Sequence, residues 1–358
     1  MPATGISVNL SVMVSALVCP DKFKGTLRAD AAAAAMAAGL GRAGFTEVAS
    51  LPLADGGEGT LDVLLAARGG SRRTATVTGP LGDPVDAEWG LLAGGVAVVE
   101  MARASGLALV PRDRDPLRAS TRGTGELIAA ALRAGARRVI VGVGGSATTD
   151  GGLAALEALG WSFGAVPVTV ACDVTTLFLD AANVFAPQKG ASAAQVALLT
   201  RRLATLADQY EQRTGVDVRS IPGAGAAGGL AGGLAAIGAE LEPGFEVVAG
   251  AAGLEGALEG IELVMTGEGR LDSTSFDGKV VGGVLDWATD AGVPHAAVIA
   301  GQVTADARDE LALHAGVELF ALTDRVWQAG ETFARSATLV EEAALEAGRR
   351  VLDPRDTP

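Results

Sequence analysis

Short apolar runs that pass into glycine-rich polar loops, and then into helical patterns, recur in this chain and limit what it can fold into. Val139-Ile140-Val141 reads as a buried strand and leads directly into Gly142-Val-Gly-Gly-Ser-Ala-Thr-Thr-Asp-Gly-Gly152. Residues 12–18 read as another strand, followed by the loop Pro20-Asp-Lys-Phe-Lys-Gly25 and an Ala-rich helix from Thr26 to about Leu40. Val48 to Leu53 repeats the pattern with the loop Ala54-Asp-Gly-Gly-Glu-Gly-Thr60 and a helix through Ala67. Strand, loop and helix in that order are the units of a parallel α/β sheet. Ligands of such sheets sit beyond the carboxyl ends of the strands, where these polar loops lie. Glycine lets backbone N–H groups converge on an anion at close range. On its residues alone, 142–152 is either part of a site for a phosphorylated ligand or a tight connection.

From about Arg72 the alternation changes. Thr74 to Thr78, Ala87 to Leu92 and Val96 to Val99 read as antiparallel strands, and Glu100 ends an apolar run, so it is paired or at a site. Helices are expected over Thr124–Ala134, from the 142–152 stretch towards Leu159, and behind Ser192-Ala-Ala-Gln195, which has a capping-box pattern. The glycine run Pro222–Gly233 is read as a backbone crossing in preference to a ligand loop. Parallel grammar returns with a strand over Ile261–Thr266, the loop Gly267-Glu-Gly-Arg-Leu-Asp272, a helix after Gly278-Lys279, strands over Ala296–Ala300 and Glu318–Ala321, and a last helix with Phe333, Val340 and Val351 on one face. The simplest assembly is an α/β protein: a flavodoxin-like (Rossmann-like) parallel-sheet domain from 1–71 and 260–358, with a second α/β domain of mixed sheet, 72–259, inserted in it. A cleft between the domains is the expected place for a two-substrate site.

With 49% apolar residues in 358, a sizeable core can be buried. The formal net charge of −14, without a basic stripe, argues against nucleic acid. An anionic substrate would therefore need local positive potential. Cys19 and Cys172 read as core thiols in a reducing compartment. The apolar segment from Val8 lacks a basic leader, and no run is long enough to span a bilayer, so the expectation is a soluble cytoplasmic protein, monomer or homodimer. The only lysines are Lys22, Lys24, Lys189 and Lys279, three of them beside glycines; in an Arg-dominated chain they mark places where a compact ammonium is wanted.

A Walker A loop and the protein-kinase signatures are absent. Gly142-x-Gly144-x-x-Ala147 fits a dinucleotide fingerprint only formally, since no strand ends in an acid at the required distance. Two histidines, His295 and His314, are too few for a His-based metal site. What remains is carboxylates and ammonium groups next to glycines. Asp55 and Asp150 each begin an Asp-Gly-Gly, and Asp21, Asp173, Glu268 and Asp272 lie at strand ends. Hard carboxylates suit Mg²⁺, and with lysines and glycine amides they are the parts that phosphoryl transfer needs.

These segments resemble the glycerate kinase family that includes the bacterial glycerate 2-kinases. The similarity is carried by PDKFKGTL (20–27), PLADGGEGT (52–60), GPLGDPVDAEWG (79–90), EMARASGL (100–107), RGTGELI (122–128), GVGGSATTDGG (142–152), ACDV (171–174), PQKGA (187–191), PGAGAAGGL (222–230) and TGEGRLD with GK (266–279). The resemblance implies two α/β domains, one inserted in the other, and transfer of phosphate from ATP to D-glycerate with Mg²⁺, usually giving the 2-phosphate. The chain departs from the family pattern at Thr149, where Asn is usual, after Asp173, where a run with Pro-Leu is replaced by Thr175-Thr-Leu-Phe178, between Leu159 and Val168, and at Ala186. Within this frame, Asp55 or Asp150 would orient and deprotonate the acceptor hydroxyl. One or two of Asp150, Asp173 and Asp272 would hold Mg²⁺. Lys22, Lys24, Lys189 and Arg270 would neutralise charge, and Gly56, Gly57, Glu58, Gly144, Gly145, Ser146 and Lys279 would complete the substrate and phosphate contacts. The rival expectations are a kinase for another small hydroxy acid, 3-phosphoglycerate as product, and a non-catalytic binding protein.

Overall fold

A computed structural model describes residues 14–110, 115–314, 316–325 and 334–353. The expected leader, the first residues of the first strand and Phe333 lie outside them. In chain order the described strands are β1 (Ser15–Pro20), β2 (Glu47–Ser50), β3 (Gly70–Thr78), β4 (Pro84–Leu92), β5 (Val96–Glu100), β6 (Arg138–Gly142), β7 (Val168–Ala171), β8 (Glu240–Glu242), β9 (Leu263–Leu271), β10 (His295–Val303) and β11 (Val317–Ala321). They form two sheets, each the centre of one compact unit. The first unit comprises the described parts of Met1–Pro52, Glu255–Ser273 and Val284–Pro358; the second comprises those of Leu53–Leu254 and Thr274–Gly283.

The first unit carries the expected flavodoxin-like sheet. Its order is β2-β1-β9-β10-β11 with every neighbour parallel. Ala16, Val18, Met36, Leu40, Met265, Ile299, Phe320 and Val340 share its core. The helices Ala29–Ala43 and Ser336–Leu352 pack closely enough that a methyl on Gly39 would overlap the Glu341 carbonyl. Two local expectations shift. The first helix begins at Ala29, not Thr26, because Phe23 and Leu27 bridge through paired backbone bonds and Thr26 Oγ1 donates to the Phe23 carbonyl. The expected loop after Thr266 is strand as far as Leu271, because β10 extends beside it and pairs Gln302 with Arg270.

The second unit has the mixed sheet expected of it, in the order β3-β4-β5-β6-β7-β8. Pairing is antiparallel through β5 and parallel from β5 to β8; the short β8 has no counterpart in the sequence reading. Trp89, Leu127, Val141, Leu203 and Tyr210 belong to its core. Ser192 and Gln195 close a reciprocal capping box at the start of the helix Ala193–Thr214. The glycine run proves to be a crossing. The stretch Ala226–Ala236 is buried throughout and kinks through the left-handed residues Ala227, Gly228 and Gly229, where a methyl on Gly228 would overlap the Thr148 carbonyl. Among the described residues, no helix is long and apolar enough to cross a membrane. Cys19 is buried, Cys172 is half-buried, and both are free.

Candidate active site

In the second unit, three chain segments meet at the carboxyl ends of β6 and β7. Asp55-Gly56-Gly57 lies directly against β6: a methyl on Gly142 would overlap the Gly56 carbonyl, and one on Gly144 would stand 3.0 Å from Gly57 Cα. Only bare glycine backbones permit this approach. Asp173 follows β7, and its Oδ1 accepts from the Gly244 N–H at 2.6 Å, at the start of the helix Gly244–Ala252. A methyl on Gly244 would overlap both the Asp55 carbonyl and Asp173 Oδ1. Asp55 and Asp173 are therefore neighbours, although far apart in sequence. Burial first, and then the Asp55 charge, push the Asp173 carboxyl up to about 7, against the backbone N–H groups of Gly244 and Phe245 and the Lys279 ammonium. Lys279 Nζ donates to Thr274 Oγ1 at 2.7 Å just before the helix Val280–Asp290. Asp55 Oδ1 also accepts from the Gly57 N–H at 3.2 Å, while Glu58 points to solvent.

The Asp55 loop is braced from behind. Glu100, 3% exposed, accepts from the N–H groups of Gly59 and Leu61 at 3.0 and 2.9 Å, at the N-terminus of the helix Thr60–Arg68. Its second oxygen accepts from Arg103 Nε at 2.6 Å. A carboxylate there satisfies amides that the helix leaves open and complements its dipole. On the other glycine stretch, Gly144 and Gly145 are exposed and Ser146 half-buried. That stretch is pinned by Leu107 N–H to the Gly145 carbonyl and Ala147 N–H to the Ser105 carbonyl.

Asp150 and Lys189 have different surroundings. Asp150 Oδ2 accepts from the N–H and the hydroxyl of Thr121, both at 2.8 Å, and Oδ1 from the Gly152 N–H at 3.2 Å. Burial pushes its carboxyl up, opposed by those bonds. Thr121 precedes the helix Arg122–Arg133, so Asp150 ties that helix start to the glycine stretch. Lys189, 2% exposed, turns inward and donates from Nζ to the Thr148 carbonyl at 2.5 Å. Burial lowers its ammonium to about 8, with Asp150 pulling the other way.

The first unit places its candidate residues at its own strand ends. β1 and β9 end side by side, with Pro20 paired to Gly267 and Asp21 N–H on the Gly267 carbonyl at 2.9 Å. This brings the loop of Lys22 and Lys24 over Gly269 and Arg270. Lys24 and Arg270 line a cavity of about 250 Å³ with Phe23, Thr26, Gly301 and Gln302. Both cations are exposed, whereas Lys22 stands 3.5 Å from Asp21 and Arg270 about 4.0 Å from Asp272.

The expected metal ligands therefore fall into separate surroundings: Asp150 under Thr121, Asp173 beside Asp55, and Asp272 beside Arg270 in the first unit. No group of three His, Cys, Asp or Glu side chains among the described residues is placed to hold a metal ion. The Asp55–Asp173 pair suits a cation that takes one or two carboxylates and fills its shell with water and phosphate oxygens, as Mg²⁺ does. Sequence reasoning missed Gly244 and Thr121. The Pro243-Gly244 pair before an apolar run and the Ser120-Thr121 pair before Arg122 were the available signals, both marks of a helix start.

Comparison with known proteins adds to this geometry. The model of the glycerate kinase family matches residues 16–165 and 162–352. The glycerate 2-kinase of Escherichia coli strain K12 is 42% identical over 332 residues, covering 81% of this chain and 86% of that protein. The glycerate kinase of Bacillus subtilis strain 168 is 39% identical over 366 residues, covering 92% and 95%. A crystal structure from Salmonella typhimurium LT2, provisionally described as glycerate kinase 2, superposes with a TM-score of 0.82 at 33% identity, over 96% of this chain and all of the other.

Proposed function

This chain belongs to the glycerate kinase family, and from that premise we propose that it transfers the terminal phosphoryl group of ATP to D-glycerate, giving 2-phosphoglycerate. Membership of that family makes it an enzyme and sets aside the reading as a non-catalytic binding protein. The observation that carries the mechanism is the Asp55–Asp173 pair, held against glycine backbones with Lys279 near by.

In the proposed step the acceptor hydroxyl oxygen attacks the terminal phosphorus in line. The new O–P bond forms as the bond to the bridging oxygen of ADP breaks, and the hydroxyl proton passes to Asp55. Asp55 is the better base of the two Asp-Gly-Gly acids, because Asp150 spends both oxygens on Thr121 and Gly152. Beside it, burial and the Asp55 charge push the Asp173 carboxyl up to about 7. The amides of Gly56, Gly144 and Gly145, the Ser146 hydroxyl and Lys279 offer donors for phosphate oxygens. Asp173 in its ionised form would hold Mg²⁺, which when bound neutralises phosphate charge. In the first unit, Lys22, Lys24 and Arg270 supply positive potential suited to a polyanionic tail. Lys189 acts through the Thr148 carbonyl to fix the glycine stretch.

The test is ADP release with glycerate, tartronate and lactate as acceptors, followed by ³¹P NMR of the product. Turnover with glycerate and a 2-phosphate resonance are expected. Preference for another hydroxy acid, or a 3-phosphate signal, would replace the acceptor or the position named here.

A further inference from the structure

The 142–152 stretch has two ends with different neighbours. Gly142 and Gly144 lie against the Asp55 loop, whereas Gly151 lies against Leu203 and Leu206 of the helix Ala193–Thr214. At that second end, a cavity of about 530 Å³ opens between this helix, the segment 149–157 and the segment 117–120. Asp150, which is tied to Thr121 and Gly152, lines it, whereas the phosphoryl-transfer groups proposed above, Asp55, Asp173 and Lys279, do not.

Its chemistry is that of a built site. Leu117, Leu153, Ala154 and Leu206 give it apolar walls. Thr149 lines it, is 2% exposed, and its buried Oγ1 has no hydrogen-bond partner among the described residues. A buried hydroxyl left unpaired is costly unless a ligand or water completes it. Arg118, Arg201 and Arg202 also line the cavity. Arg202 is spent on the Leu117 carbonyl at 3.1 Å, but Arg118 and Arg201 have no carboxylate partner among the described residues. By contrast, Arg72, Arg103, Arg219 and Arg350 each bridge at least two acids. Two uncommitted guanidinium groups over apolar walls favour an oxyanion with an apolar body. Asp150 and Glu157 on the same wall disfavour a ligand that is anionic throughout.

We infer that this cavity is a second binding site, separate from the phosphoryl-transfer site, for a small organic anion that carries a phosphate or carboxylate group on an apolar body. The inference goes beyond the proposed reaction and does not depend on which acceptor the enzyme uses.

Isothermal titration of the full chain with phenyl phosphate tests it, with inorganic phosphate and benzoate as parallel probes. Phenyl phosphate is expected to bind with a Kd below about 1 mM. Replacing both exposed arginines, Arg118→Ala with Arg201→Ala, should weaken binding at least about tenfold while kcat with ATP and glycerate stays unchanged. Thr149→Val should weaken it several-fold without lowering the Tm, since it removes a hydroxyl that is unpaired in the free protein. Saturating D-glycerate, or ATP added separately, should leave the binding in place. The inference is overturned by no binding, by equal affinity in the double arginine variant, by inorganic phosphate binding as tightly as phenyl phosphate, or by displacement with either substrate. Benzoate binding would place carboxylates in the ligand class; its failure beside phenyl phosphate would confine the class to phosphomonoesters.

Discussion

At the carboxyl end of the first unit's sheet the candidate side chains include the cations Lys24 and Arg270, which reach solvent from a small cavity. At the corresponding end of the second unit's parallel strands they are carboxylates, partly withdrawn from water and fixed by backbone. The contrast follows from what each group must do. A lysine or arginine that neutralises a polyanion works from an exposed, adaptable position and loses strength when desolvated, as Lys189 does. A base must have the right proton affinity, and burial beside a like charge is the means of raising it. On the proposed reaction, exposed cations in one unit and carboxylates fixed against glycine backbone in the other answer two tasks.

The sharpest way to break this contrast is to remove one charge from each kind of site. Asp55→Asn should lower kcat by about 10²–10⁴, with little change in KM, in a coupled ADP assay. Losses of similar size in kcat alone from Lys24→Ala or Arg270→Ala would erase the distinction. Those two variants are expected instead to raise KM and to lower kcat/KM by about 10- to 100-fold, more at low salt than at high.

Proton affinity sharpens the comparison further. The acid limb of kcat should show an apparent pKa near 7, set by Asp173, and Asp173→Asn should remove it. Stability runs the opposite way. Because the folded pKa is raised, the folded state keeps a proton that the unfolded chain has lost above about pH 4. This contribution is complete below that pH and disappears as pH rises through about 7. Activity gained while stability is lost over the same interval, both abolished in Asp173→Asn, is the expected signature; a pH-independent Tm difference between the two proteins would contradict it.

The first unit was largely legible in the sequence because its information is local. Pro20 to Leu27 follows a strand, and the alternation of apolar runs with helices gives the parallel order. Even there, the extent of β9 depended on pairing with β10, which makes strand of a segment whose glycines read as loop. In the second unit the loops were legible but their partners were not. Asp173 meets the Gly244 N–H across 71 positions, and Asp150 meets Thr121 across 29. Neither spacing has a local signature. Lys189 shows the limit most clearly: it was expected to neutralise charge at the site, yet tertiary packing turns it onto the Thr148 carbonyl.

Two smaller perturbations test whether rigidity in the second unit matters in itself. Gly244→Ala places a methyl against the Asp55 carbonyl and Asp173 Oδ1, so something must move. Overpacking of this kind costs about 1–3 kcal/mol, and kcat should fall with it, because the displaced atoms belong to the acid pair. Urea titration and the ADP assay on one preparation measure both. A stability loss with full activity would show that the pair tolerates displacement.

The smallest effect concerns the buried ammonium. Lys189 has a folded pKa lowered to about 8, so between there and its ordinary value near 10.5 the unfolded chain holds more protons than the folded one. Stability should therefore rise with pH across that interval by at most about 1.4 kcal/mol per unit from this group. Lys189→Met removes the rise. It also frees the Thr148 carbonyl, which sits on the glycine stretch shared with Gly144 and Gly145, so some loss of kcat should accompany it. If the pH slope vanished and kcat stayed intact, the ammonium would be a packing device alone, and the phosphate-side loop would owe its shape to Ser105 and Leu107 instead.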